Sequence, residues 1–182
     1  MLKYLRARLD KRLIVELSVA LVLIFVVVFS AHAEIGSEFK VVYSLDHRDT
    51  DQEIVKLVNN ANHYVYFAIY YFSKENIAEA LIRAKQRGLD VRGITDAAAS
   101  LDANRQVVAE LRAAGVPLET QKHLDGIMHM KALVTDKAYA SGSFNWTGAA
   151  TEANDEVLEI GTNASVRDQY LSIIKKVLLK NQ

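Results

Sequence analysis

The stretch "HMKALVTD", His129 to Asp136, opens an apolar run with a histidine and a lysine two residues apart. Residues two apart on an extended strand project to the same side. His129 and Lys131 are therefore expected on one face, with Met128 and Met130 turned to the other. "GSFN" puts Ser143 and Asn145 in the same relation if that segment is also extended. An imidazole, an ammonium, a hydroxyl and a carboxamide would then converge from neighbouring segments. That set suits a phosphodiester: a nucleophile or acid-base group, a cation for the non-bridging oxygens, and neutral donors for the rest. No acidic cluster stands beside these residues to hold a metal, and the chemistry so composed needs no cofactor. Asp46, Asp49 and Asp51 form an acidic group elsewhere, but it lacks the glycine and the closing glutamate of a calcium loop. Capping of a helix start explains those residues better. Cysteine is absent, which excludes disulfides, thiolate zinc sites and a cysteine nucleophile.

The elements that must position these groups alternate along the chain. "FKVVYS" (Phe39–Ser44) reads as a strand, and "TDQEIVKLVNNA" as a helix with Thr50 and Glu53 spaced as a capping box. "YVYFAIYYF" (Tyr64–Phe72) is apolar and aromatic throughout, as a central strand buried on both faces should be. Tyr70 or Tyr71 could border a groove at its end. A helix from Ser73 to Gly88, a strand "DVRGIT", a helix stopped by Gly115 and a short strand "VPLET" follow. Next come the extended runs "IMHMKALVTD" and "KAYASG", the loop "SFNWTGAATEAN", the strand "EVLEIGT" and a last helix ending in lysines. Trp146, in that loop, either packs under the site or meets a base. This order predicts one α/β domain, a mixed sheet flanked by helices on both faces in an α-β-α sandwich.

The reactive residues carry a resemblance. His129, Lys131 and Asp136, followed by Gly142, Ser143 and Asn145, resemble the HKD motif of the phospholipase D superfamily. "NDE", with Glu156, is similar to the carboxylate that supports the histidine in the small Nuc-type bacterial endonucleases of that superfamily. "GSFNWT" and "AIYYFS" also look like theirs. The resemblance covers the body of the chain from Phe39 to the C-terminal helix. One departure is visible: five residues, Lys137 to Ser141, separate Asp136 from Gly142 where the family usually has six, which shortens a hairpin turn.

His47, His63 and His123 lack a lysine two residues on, so the motif occurs once. The resemblance implies that single-motif chains form homodimers in which two motifs meet. Chemistry asks the same, because one imidazole cannot attack phosphorus and protonate the departing alkoxide in a single step. His129 of one subunit is then the nucleophile, forming a phosphohistidine, and His129 of the partner is the acid and then the base. Lys131 and Asn145 would bind the non-bridging oxygens, with Ser143 as a further donor. Glu156 is expected to accept a hydrogen bond from the other ring nitrogen of His129. Asp136 is expected to order a strand end and not to touch substrate. The activity so implied is a sequence-nonspecific endonuclease cutting DNA, and by extension RNA, to 5′-phosphate ends without a metal. The alternative is a phospholipase D-type hydrolase of phosphatidyl or cardiolipin substrates, although the mitochondrial single-motif members carry a cysteine-rich zinc element that this chain lacks. A non-catalytic nucleic-acid-binding module is a third class, disfavoured because every reactive residue type is present.

At 182 residues, 51% hydrophobic and 24% charged, the composition is that of an ordinary globular protein. The formal net charge is zero but unevenly spread. Residues 1–33 hold five basic and two acidic residues, leaving a body of 17 basic and 20 acidic ones, net −3. A nuclease must therefore concentrate its cations in the groove, from Lys131, Arg48, Lys122 or similar residues. Residues 1–33 read as a signal peptide: basic residues, the apolar run Leu17–Phe29, then Ala31 and Ala33 in a small-x-small arrangement. The alternative is a membrane anchor over residues 13–29, short for a span and carrying Glu16. Either way residues 34–182, the phospholipase D-like domain, are expected outside the cytoplasm, periplasmic or secreted, with a membrane as partner only if the anchor is retained.

Overall fold

Tyr64–Ile69 (β2) is where both layers of the core meet. Its residues from Val65 to Ile69 are all buried. Val65, Phe67 and Ile69 enter one apolar cluster, and Tyr66 and Ala68 enter another on the opposite face. The computed structural model that shows this describes residues 14–19, 38–101, 104–121 and 125–181. The chain divides into two compact units, Met1–Ser37 and Glu38–Gln182. In the first, residues 14–19 are helical (α1) and exposed. The proposed cleavage site and the rest of the apolar run lie outside the described residues. No helix among the described residues is long and apolar enough to cross a membrane.

The second unit is built on a seven-stranded sheet in the order β1-β7-β6-β5-β2-β3-β4. Its strands are β1 (Phe39–Tyr43), β2, β3 (Asp90–Thr95), β4 (Leu118–Thr120), β5 (Lys131–Thr135), β6 (Tyr139–Gly142) and β7 (Val157–Gly161). β2, β3 and β4 run parallel, and the remaining pairings are antiparallel. The helices are α2 (Ser44–His47), α3 (Thr50–Asn60), α4 (Glu75–Gln86), α5 (Ala97–Leu101), α6 (Arg105–Ala113), α7 (Gly148–Glu152) and α8 (Ala164–Leu179). Residues Ile54 and Val58 of α3, Ile77 and Leu81 of α4, and Val107 and Leu111 of α6 pack on one face of the sheet. Ile174 and Leu178 of α8 pack on the other, against Tyr66, Ala132 and Val134. The mixed sheet with helices on both faces is the architecture expected.

Several local expectations are corrected. Thr50 and Glu53 form no capping box: Asp49 is the N-cap without a side-chain bond, and Glu53 pairs with Lys40 and Lys56. Asp51, buried inside α3, bonds Lys74 and Asn76 across to α4 and caps nothing. Ser73 does not cap α4 either, since its N–H and that of Lys74 donate to the carbonyl of Trp146. β2 ends at Ile69, three residues short of Phe72, because Tyr70–Phe72 leave the sheet to bond the chain around Trp146. The loop from Ser143 to Asn154 contains α7, capped by Thr147 through the Ala150 N–H. The short α2 and α5 carried no periodicity long enough to announce them. The shortened turn closes regularly: Thr135 Oγ1 accepts from the N–H groups of Lys137 and Ala138, and Val134 pairs with Tyr139.

Candidate active site

Lys131 begins β5 and His129 stands just before it, outside the strand, although a continuous strand over both was expected. The shared face survives that difference. Lys131 Nζ lies 3.1 Å from His129 Nε2 and donates to the His129 carbonyl at 3.0 Å. An ammonium offers only donors, so this contact is a hydrogen bond in the tautomer that leaves Nε2 as the acceptor. Met128 and Met130 turn to the α8 side, as the alternation requires. Lys131 is only 8% exposed. Burial pushes its ammonium below the ordinary lysine range, and the charge of Glu156 opposes the shift.

Tyr70 closes one side. Its ring centroid is 4.8 Å from that of His129, and Lys131 Nζ is 5.1 Å above the same ring. The backbone carrying Tyr70 is clamped from below: the fully buried Asn104 accepts from the Phe72 N–H and donates to the Tyr70 carbonyl and to Thr95 Oγ1. That fixed strap then orients a second site residue. The Tyr71 N–H donates to Asn145 Oδ1 at 3.2 Å, which leaves the carboxamide's own N–H donors for the cleft.

The third side comes from β6 and β7. β6 ends at Gly142, so the strand that would have placed Ser143 and Asn145 on one side does not reach them, yet both line the cleft. Gly142 has φ +150°, and a Cβ there would meet the Val157 carbonyl oxygen at 2.1 Å. Only glycine lets the chain turn this close to β7. Ser143 Oγ donates to Glu156 Oε2 and accepts from the Val157 N–H. Glu156 Oε1 accepts from Asn154. Within the single chain the Glu156 carboxylate accepts from Ser143 and Asn154 and makes no bond to the ring of its own His129. The resulting cleft, about 460 Å³, is lined by His129, Lys131, Gly142, Ser143, Asn145 and Glu156.

Asp136 lies at the other end of β5, outside the cleft. Burial alone would push its carboxyl up, but the N–H groups of Asn62 and His63 overcome this and hold it below the usual carboxylate range. It ties the β5 end to the turn that leads into β2. Trp146, whose environment the sequence left open, is 1% exposed and packs between Phe67 and Phe72 beneath the loop. Arg48 is exposed, with φ 55°, and does not line the cleft; Lys122 lies outside the described residues. A larger groove of about 600 Å³ follows α8 from Asp168 to Lys180 and shares none of the reactive side chains. The sequence did not reveal Asn104 or the Tyr71 N–H, since a buried amide and a backbone donor carry no motif.

Comparison with known proteins bears on the family and the fold. The family model described as "Cardiolipin synthase, PLD-like domain" matches residues 54–178. A Rickettsia conorii protein named phospholipase D is 32% identical over 119 residues, 65% of this chain and 58% of that protein. A mitochondrial cardiolipin hydrolase of Xenopus tropicalis is 30% identical over 128 residues, 69% of this chain and 60% of that one. The chain thus spans about three fifths of the length of the curated relatives it matches. Among solved structures, Nuc of Salmonella typhimurium, a phospholipase D family member, is 24% identical with a TM-score of 0.74, covering 80% of this chain and 97% of that one. NucT of Helicobacter pylori gives 24% and 0.73, covering 78% and 96%. At those identities the likeness is one of fold.

Proposed function

The chain belongs to the phospholipase D superfamily of phosphodiesterases, and on that premise we propose that it is a metal-independent endonuclease that works as a homodimer. The observation that carries this reading is the convergence of one imidazole, one buried ammonium and one oriented carboxamide on a single cleft. His129 Nε2 attacks phosphorus once Lys131 exchanges that nitrogen for a non-bridging oxygen. The new P–N bond forms as the P–O bond to the 3′-oxygen breaks, and His129 of the partner gives that oxygen its proton. Water then displaces the histidine, losing a proton to the same partner imidazole, and leaves a 5′-phosphate. Lys131 and Asn145 stabilise the charge that gathers on the non-bridging oxygens, with Ser143 beside them. Removing one such preorganised donor costs about two to three orders of magnitude in rate. Asp136 contributes only to the scaffold.

The second copy is needed because one cleft holds one histidine. Phe39, Val41, Tyr43 and Val157 support this pairing: all are exposed, on the side of β1 and β7 opposite the half-buried Val42 and the buried Leu158. This row ends at Val157, next to Glu156, so a copy seated there would bring its own cleft near. Among the described residues no group of three His, Cys, Asp or Glu side chains comes together as a metal site, and the reading assigns the metal's charge-stabilising task to Lys131.

The polar lining of the cleft favours a sugar-phosphate backbone. A lipid hydrolase is the second reading, favoured by the names of the curated relatives and by exposed Ile127 two residues before His129. Incubation with plasmid DNA, with single-stranded RNA and with cardiolipin vesicles, all in EDTA, separates the two. Nicking of DNA in EDTA is the expected result. Hydrolysis of cardiolipin alone would favour the second reading, and cleavage of DNA only after Mg²⁺ is restored would overturn the mechanism. The segment of residues 1–33 is read as an export signal, which places the activity outside the cytoplasm; N-terminal sequencing of the exported protein tests this, with Glu34 expected first.

A further inference from the structure

Asp96, the residue after β3, is 2% exposed and lies outside the cleft. No described cation pairs with it. Its charge is met instead by three backbone N–H groups from two separate segments. Oδ1 accepts from Ala98 at 2.9 Å and Ala99 at 3.1 Å, at the start of α5. Oδ2 accepts from the Met128 N–H at 3.0 Å. A carboxylate that collects several N–H donors is strongly held, since each bond is charge-assisted. Here it spans 32 residues of sequence to grip the segment that enters β5.

The gripped residue directly precedes His129. The Met128 side chain is itself buried against the α8 side of the sheet. On the other flank the His129 carbonyl is held by Lys131. The imidazole is thus mounted on a peptide fixed at both ends, although His129 stands outside the strand and has no ladder to hold it. We infer that Asp96 is the positioning residue of the nucleophile: through the Met128 N–H it sets the direction in which the imidazole meets phosphorus. This rests on the proposed role of His129. It touches neither substrate nor the reacting atoms.

Asp96→Asn separates this task from the capping of α5. A carboxamide has one acceptor, and its oxygen satisfies two donors by facing Ala98 and Ala99. Its NH₂ then confronts the Met128 N–H, donor against donor, and that link is lost while the cap is kept. Two measurements decide the inference. The first is kcat and KM for bis(4-nitrophenyl) phosphate in EDTA, counted per folded protein. The expected result is a kcat lower by about one to two orders of magnitude, the usual penalty of a small misplacement, with KM near that of the unaltered protein because Lys131 and Asn145 remain. The second is the imidazole NMR spectrum of His129 in unliganded protein. The Tyr70 ring, 4.8 Å away, should shift its ring resonances in the unaltered protein, and they are expected to move toward free-histidine values in the variant. Unchanged kcat with unchanged ring resonances would overturn the positioning role and leave Asp96 as a helix cap. Should the unaltered protein fail to hydrolyse the diester, the proposed function falls, and the NMR comparison alone still decides whether Asp96 sets the ring.

Discussion

At the scale of single residues, the site turns on which group holds which. His129→Ala removes an exposed ring and no core atom, so a folded protein without turnover is expected by circular dichroism and a nicking assay. Lys131 makes a sharper test. Its ammonium is pushed below the ordinary value of 10.5 by burial, with Glu156 opposing. The protonated form is the one that binds phosphate, so kcat/KM should fall as pH rises through the lowered pKa, earlier than an ordinary lysine would allow. Glu156→Gln removes the opposing charge and should move that alkaline limb to still lower pH; a limb that stays in place would show that Glu156 does not act on Lys131. That His129, Lys131, Ser143, Asn145 and Glu156 share one cleft was legible because their types and spacing are constrained by chemistry. The partner of Glu156 was not, because Ser143 and His129 are both within the reach of sequence logic and only the turn at Gly142 decides between them.

At the scale of elements, β5 is fixed at both ends, and each end can be tested. Asp136→Ala strips the acceptor from the exposed N–H groups of Asn62 and His63, which water then reaches, with an expected loss of about 1 kcal/mol in urea unfolding at neutral pH. The folded carboxyl is held below its unfolded value, so this contribution is full above the unfolded pKa, near 3.9, and is lost as pH falls through the folded one. The two proteins should therefore converge in stability in acid. Trp146→Ala opens a hole between Phe67 and Phe72 and should cost about 3–5 kcal/mol, measured the same way. Strands β1, β3, β4, β5, β6 and β7 were legible from short apolar runs bounded by glycine and polar turns. The end of β2 was not, because Tyr70–Phe72 are as apolar as the strand before them and leave it for tertiary reasons, to meet Asn104, Asn145 and Trp146. The expected caps at Thr50 and Ser73 failed for a related reason. Thr50 is buried at the start of α3 with its hydroxyl unbonded, and at Ser73 a backbone bond to Trp146 takes the place of a cap.

At the scale of the whole molecule, the layered fold followed from the alternation of periods, whereas the way two copies meet has no signature in a single sequence. Val41 is exposed on the outer face of β1, so Val41→Lys should leave the monomer folded while turning the dimer expected in sedimentation velocity into an inactive monomer. A fully active monomer would remove the need for a second histidine. The most direct test of the chemistry itself is to quench the enzyme during cleavage of DNA in EDTA, under the alkaline conditions in which phosphohistidine survives, and to locate the adduct by mass spectrometry. A nucleotidyl group is expected on the peptide that contains His129, absent from His129→Ala. Sustained DNA cleavage with no adduct at any time point would contradict it.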